Sequence, residues 1–375
     1  MLKRSLILIS LLSVFNGTAL LAEEQSPELK PGQIIGRHIF GLATDTSQDP
    51  LLINDDPLIY DKVGFQEQLS VGENTFIVSG FNHDLGGLYM TRFAAETKQY
   101  IDTVSMDLPS VEGISKPSGS IVSPWQSVLF SESQAADAAN PAGFIEAFKP
   151  FYKGKAEMVK PYNYGWVSEV VLLDDSGESK IIKNYAIGRV SASSLYLMPD
   201  GRSLYLHDAT NSQMFYLFVS EEQNNFAKGT LYAITLDSDK PSLVALGSES
   251  VLRMKFSLRR MEFDDLFEIS NIDQLSESND LVNKSCETGF TFIATHYGDE
   301  CLKIKKRNEK YAGLYEPVRT LAVKRSGTPL KKIHAVRFES DKRVVEVDIE
   351  GVTKAYRLEQ DDQIGSAYLM KELIK

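Results

Sequence analysis

The chain has 375 residues, 43% of them hydrophobic and 24% charged, with 51 acidic against 40 basic side chains and a formal net charge of −11. That length supplies one large core or two modest ones and excludes a small disulfide scaffold. The acidic balance repels a phosphate backbone, so nucleic acid is not an expected partner.

The first residues have the layout of a secretory signal. Lys3 and Arg4 form a basic start, Ser5 to Phe15 is almost entirely apolar, and Gly17, Ala19 and Ala22 offer small-residue cleavage points. The expectation is a signal over residues 1–22, a mature chain from about Glu23, a periplasmic or secreted location, and no transmembrane segment once the signal is removed. An uncleaved anchor is the alternative, although an apolar core this short, ended by Asn16-Gly17-Thr18, makes a poor span. Residues 23–74 carry many Pro, Gly and Asp and read as an irregular arm, with the main domain over residues 75–375.

From Thr75 onward, short β-branched, aromatic and aliphatic runs recur between turn signals: 75–79, 87–93, 127–130, 169–173 and 195–198. This spacing predicts an all-β architecture. Met198-Pro-Asp-Gly-Arg202 is the cleanest hairpin turn, because Pro fixes φ at one corner and Gly supplies the left-handed residue. Residues 228–246 and 335–348 repeat the logic. Serial hairpins favour a β-propeller, which leaves only short, protected edges, though sandwich pairs would give similar strings. Two stretches, 134–154 and 264–283, read as loops or local helix.

Two cysteines, Cys286 and Cys301, complete the inventory. An oxidising compartment would join them as a disulfide; two separate buried thiols are the alternative. The five histidines, His38, His83, His207, His296 and His334, show no metal-binding spacing and read mostly as surface or turn residues. Ser131 beside Glu132 lacks a nucleophile elbow, and no Gly-rich phosphate loop is present. Trp125 and Trp166 most simply fill the core.

The ordered series Pro117-Ser-Gly-Ser, Pro124-Trp-Gln-Ser-Val-Leu-Phe-Ser-Glu132, Gly165-Trp-Val-Ser-Glu169, Gly188-Arg-Val190, the hairpin ending at Asp208, Phe215-Tyr-Leu-Phe-Val-Ser220 and Gly229-Thr-Leu-Tyr232 resembles the PhoX family of secreted alkaline phosphatases. Glu316-Pro-Val-Arg-Thr-Leu-Ala322 continues the order. The resemblance implies a β-propeller of the PhoX type whose acidic cluster holds calcium and iron and hydrolyses phosphate monoesters. The chain stops at Lys375, where the family continues through further blades, so an incomplete or differently closed ring is expected.

Carried over residue by residue, the family site is depleted. Glu132, Glu169 and Asp208 remain as metal candidates, and Glu132, Glu169 and Arg189 as catalytic ones. Ser131 stands where the family has its iron-binding cysteine, Ser133 and Ser193 where it has glutamates, and His334 on another ligand position. Serine is a neutral, weak ligand, so iron is not expected, while a single calcium on Glu132, Glu169 and Asp208 stays open beside purely structural roles. Plain structural roles stand beside these: Glu132 and Asp208 at solvated strand ends, Glu169 paired with an arginine such as Arg189.

Three functions are consistent with this sequence. One is a metal-dependent phosphomonoesterase with an altered ligand set, acting on a small phosphoester. Another is a binding or scaffold propeller whose chemistry is lost and which takes a protein partner. A third is a calcium-dependent hydrolase of lactones or similar esters. The missing ligands favour the inactive reading.

Overall fold

The computed structural model describes residues 41–373, apart from 48, 50, 54, 55, 276–282 and 340–342. The expected signal over 1–22 lies outside the described residues. Two short strand pairs, Gly41–Leu42 with Ile59–Tyr60 and Leu52–Ile53 with Asp56–Pro57, precede the main body.

The architecture is an all-β propeller whose four main sheets are serial antiparallel meanders, in each of which every strand pairs with its sequence neighbour. The first sheet comprises Val63–Val71, Asn74–Phe81, Gly87–Ala94 and Tyr100–Ser105. It begins at Val63, earlier than the boundary expected at Thr75, because Gln66, Glu67 and Gln68 interrupt the apolar pattern of a strand that is nonetheless paired along its length. The second sheet comprises Pro117–Val122, Ser127–Glu132, Val167–Leu172 and Ser179–Lys183. The third has five strands: Ser194–Leu197, Ser203–Asp208, Met214–Glu222, Asn225–Thr235 and Ser242–Ser250. The last sheet comprises Ile333–Glu339, Val344–Ile349, Val352–Asp361 and Ala367–Leu373.

The turn at residues 198–202 forms as its sequence predicts. Leu197 pairs with Leu204, Gly201 takes φ +62°, and the Asp200 carboxylate accepts from the Arg202 and Ser203 amides at 3.0 and 2.9 Å. Side chains then alternate across the third sheet. Leu204, Leu206, Tyr216, Phe218, Leu231 and Ala233 face one core, and Tyr205, Phe215, Leu217 and Ile234 face another.

Between the third and last sheets lies a mixed insertion. It contains the helices α2 (Val251–Leu258), α3 (Phe263–Leu266), α4 (Glu309–Tyr315) and α5 (Pro317–Lys324); a further helix, α1 (Ala142–Phe148), lies within the second sheet's long loop. A three-stranded sheet of Phe267–Ser270, Gly298–Ile304 and Thr291–Thr295 sits among them, with Gly298–Ile304 at its centre. A small hairpin of Ile272–Leu275 and Asn283–Cys286 adjoins it. The stretch 264–283, expected as loop or helix, is therefore largely strand where it is described. Cys286 and Cys301 are joined by a disulfide, as the export reading anticipated, tying the hairpin to the central strand.

Three apolar clusters hold the body together. One joins the first and second sheets, a second joins the second and third sheets to the insertion, and a third joins the third sheet to the last. No described helix is long and apolar enough to cross a membrane.

Candidate functional site

The metal, catalytic and ligand-position candidates other than His334 lie in the second and third sheets and their loops, and each side chain there is already engaged. Glu132 ends the strand Ser127–Glu132 and is fully buried, not solvated as one sequence reading had it. Its carboxylate accepts from the Ser115 amide at 3.1 Å, the Trp166 amide at 2.9 Å and the Gly165 amide. Gly165 can present that amide because it holds φ +94°, where a Cβ would lie 2.6 Å from the Ala135 Cβ.

The fourth partner of Glu132 is Lys183, whose Nζ lies 3.2 Å from Oε1 with both side chains withdrawn from water. The same ammonium donates to the Asn163 carbonyl at 2.7 Å and stands 4.9 Å from the centre of the Tyr164 ring. Burial pulls the Lys183 pKa below the usual lysine range, while Glu132 opposes the shift. An internal cation thus occupies one side of Glu132 and backbone amides the other.

Glu169 is neither paired with Arg189 nor close-grouped with other acids. It accepts from the Trp125 indole at 2.8 Å, from the Ser127 hydroxyl at 2.5 Å and from Asn184 at 3.4 Å. Asp208, also buried, closes a turn at its strand end by accepting from the Asn211 and Ser212 amides at 2.9 Å each and from the Ser212 hydroxyl at 2.7 Å. Among the described residues no three His, Cys, Asp or Glu side chains come together as a metal-holding group. Glu132, Glu169 and Asp208, the candidates for a shared calcium, therefore sit in three separate hydrogen-bond sets, and their donors do not fit a common hard cation.

Arg189 bridges the long loop of the second sheet and the insertion. It donates to the Tyr164 carbonyl at 2.7 Å, to the Ala136 carbonyl, and to Glu316 at 3.4 Å. The adjoining Gly188 holds φ +93°, and a Cβ there would lie 2.6 Å from Leu231 Cδ2, which accounts for the glycine of the Gly-Arg-Val motif. The serines at substituted ligand positions knit backbone. Ser131 and Ser193 donate to the Val190 and His207 carbonyls at 3.4 and 3.0 Å, and Ser133 to the Lys116 carbonyl at 3.0 Å.

His334 lies on the last sheet, with its side chain 44% exposed and Nδ1 3.7 Å from Asp348, so it joins none of the other motif residues. His207, expected as a surface or turn residue, is buried, and its Nε2 lies 2.8 Å from the Ile333 carbonyl.

The centre that sequence reasoning did not single out is Arg319 on α5. Wholly buried, it reaches Glu300 at 2.7 Å, Asp137 at 2.9 Å and Glu316 at 3.0 Å. Its guanidinium lies over the Tyr297 and Phe263 rings at 3.9 and 4.9 Å. Burial works against that charge, but the three carboxylates outweigh it and raise the pKa further. The signal available was the spacing Glu316-x-x-Arg319, which puts both residues on one face of a helical turn.

One small space adjoins this network and a second lies apart from it. Arg189, Asp208, Ser212, His296, Tyr297 and Glu316 line a cavity of about 20 Å³, large enough to hold water. A more open groove of 340 Å³ runs between the first strands of the first and second sheets, past Gln66, Glu67 and Ser120. There Ser120 donates to Glu67 at 2.7 Å, and burial raises the Glu67 pKa above its ordinary value.

No family model matches the chain, and none of the curated proteins does. Among solved structures, PhoX of Pseudomonas fluorescens in complex with vanadate, a transition state analogue, is 12% identical over 92% of this chain and 88% of its own, with a TM-score of 0.36. The β-propeller domain of the trilobed protease from Pyrococcus furiosus is 9% identical over 79% and 82%, with a TM-score of 0.23. The periplasmic gluconolactonase of Pseudomonas aeruginosa is 10% identical over 90% and 94%, with a TM-score of 0.22.

Proposed function

We propose that this chain is an exported propeller built on the plan of a PhoX-like phosphomonoesterase, in which ion pairs have taken the place of the metal chemistry and the fold acts as a non-catalytic binding or scaffold protein. The observation that carries the reading is the Lys183–Glu132 pair. A carboxylate neutralised at 3.2 Å by an internal ammonium, and saturated by three amides, has no free charge to offer a calcium or iron ion. Arg189, another catalytic candidate, is held by carbonyls and by Glu316. The N-terminal signal and the Cys286–Cys301 disulfide support export to an oxidising compartment.

The test is to purify the protein from an oxidising compartment, measure bound calcium and iron, and assay p-nitrophenyl phosphate with both ions supplied. Substoichiometric metal and no turnover above the buffer blank are expected. Stoichiometric metal, with turnover that disappears in Glu132→Gln or Glu169→Gln, would overturn the reading in favour of a working phosphatase.

A further inference from the structure

The outermost strand of the third sheet, Ser242–Ser250, runs directly into α2, and the Ser250 hydroxyl caps the helix by accepting from the Arg253 amide at 3.4 Å. Successive helical residues turn by about 100°, so Met254 and Leu258, with half-buried Val251, form the inward stripe that joins the core. The opposite crest is Leu252 and Phe256, one helical turn apart and 65% and 62% exposed. The same geometry places Arg253 on one flank of that crest and Arg259, the C-cap residue, on the other; Arg260 follows in the turn, and all three are exposed. Arg259 lies 5.8 Å from the Phe256 ring.

A second segment joins this surface. Lys160 donates to the Arg259 carbonyl at 3.1 Å, which brings residues 155–160, including exposed Lys155 and Met158, beside the end of the helix. The acidic groups facing the patch are few. Glu249 is paired with Arg253 at 3.8 Å and Lys310 at 3.2 Å, and Glu157 and Glu262 lie exposed at the margins.

Scattered exposed apolar residues need no explanation. Two large ones on one crest, flanked on both sides by guanidinium groups in a chain of net charge −11, form a local pattern opposite to the whole. Side chains more than half exposed make a ridge, and a ridge enters a fluid layer without needing a matching pocket. A nucleic acid would use the arginines but give Leu252 and Phe256 nothing to bury against. An anionic bilayer uses both: the apolar pair enters the acyl boundary while the arginines meet lipid phosphates, and the distant acidic surface is screened beyond about 10 Å at ordinary salt.

We propose that α2 is a peripheral docking face that inserts Leu252 and Phe256 into a membrane surface rich in anionic phospholipid, independently of whether the chain has any catalytic activity. The test is co-sedimentation of the protein, as recovered after export, with vesicles of phosphatidylcholine alone or mixed with phosphatidylglycerol. Wild type is compared with two variants, so that contributions from elsewhere in the chain cancel.

Wild type is expected to partition onto the mixed vesicles and to be released by salt. Leu252→Ser with Phe256→Ser should lower partitioning at least about tenfold. Arg253→Gln with Arg259→Gln and Arg260→Gln should lower it about fivefold per charge and remove the preference for phosphatidylglycerol. All substituted side chains are exposed, so thermal unfolding should be unchanged. Equal partitioning of wild type and both variants overturns the proposal. So does a wild-type dimer in sedimentation velocity that Phe256→Ser abolishes without any vesicle binding, which would assign the face to a second copy of the chain.

Discussion

Lys183 and Glu132, 51 residues apart in sequence, meet at 3.2 Å inside a region closed to water, so the second sheet carries its own cation against its own buried carboxylate. Removing one partner leaves the other charged and buried. Lys183→Met should cost about 3–5 kcal/mol in urea unfolding, and Lys183→Met with Glu132→Gln should recover most of that loss. If the single variant is no worse than the double, the pair does not hold the charge balance described.

Arg319 gathers Glu300, Glu316 and Asp137 from a strand, a helix start and a distant loop. Arg319→Met should prevent recovery of folded protein, since three carboxylates would face each other without a counterion. Arg319→Lys keeps the charge but loses the planar fork, and should fold with a loss of about 2 kcal/mol. Limited proteolysis should then cut first within the insertion of residues 251–330, because that is where the guanidinium anchors helix to strand. Cleavage spread evenly over the chain would contradict this.

The pH dependence of stability follows from His207. Burial lowers its pKa, so the folded protein holds it neutral while the unfolded chain protonates it near the ordinary value of about 6.5. Its contribution is fully present above that value and is lost as pH falls toward the folded pKa, because the unfolded state then binds more protons. Wild-type unfolding free energy should decline as pH falls below about 6.5, before the carboxylates titrate, and His207→Gln should flatten that slope.

The disulfide acts locally. Closing a 15-residue separation stabilises by roughly 3 kcal/mol on the chain-entropy account. Reduction should speed amide exchange in Asn283–Cys286 and Gly298–Ile304 while leaving the first three sheets protected. Loss of protection throughout would mean that the insertion governs the whole fold.

The parts of this molecule set by short-range chemistry were legible in sequence. The hairpin at residues 198–202 follows from Pro199 and Gly201, and the motif glycines Gly165 and Gly188 occupy backbone that side chains avoid. The strand Val63–Val71 was not legible, since Gln66, Glu67 and Gln68 are held by pairing and by contacts such as Gln66 to Ser79 at 2.9 Å. The acidic positions Glu132, Glu169 and Asp208 were found, but their roles were not, because a role depends on a partner. Lys183 carries no motif, and Asp137 lies 182 residues from the arginine it contacts. Charge balance inside a protein is a tertiary property, and local spacing reveals only one side of it.

The three apolar clusters are strung in a line. Among the described residues the last sheet shares its cluster with the third sheet alone, through contacts such as Tyr205 with Phe338. Such an arrangement makes cooperativity graded. The described strands of the last sheet are expected to open as one foldon, at a free energy below that of global unfolding, while the first two sheets keep their own core sealed. Among the described sheets, Ile333–Leu373 is thus expected to open first, because of how its core is wired and not because of any looseness in the strands themselves.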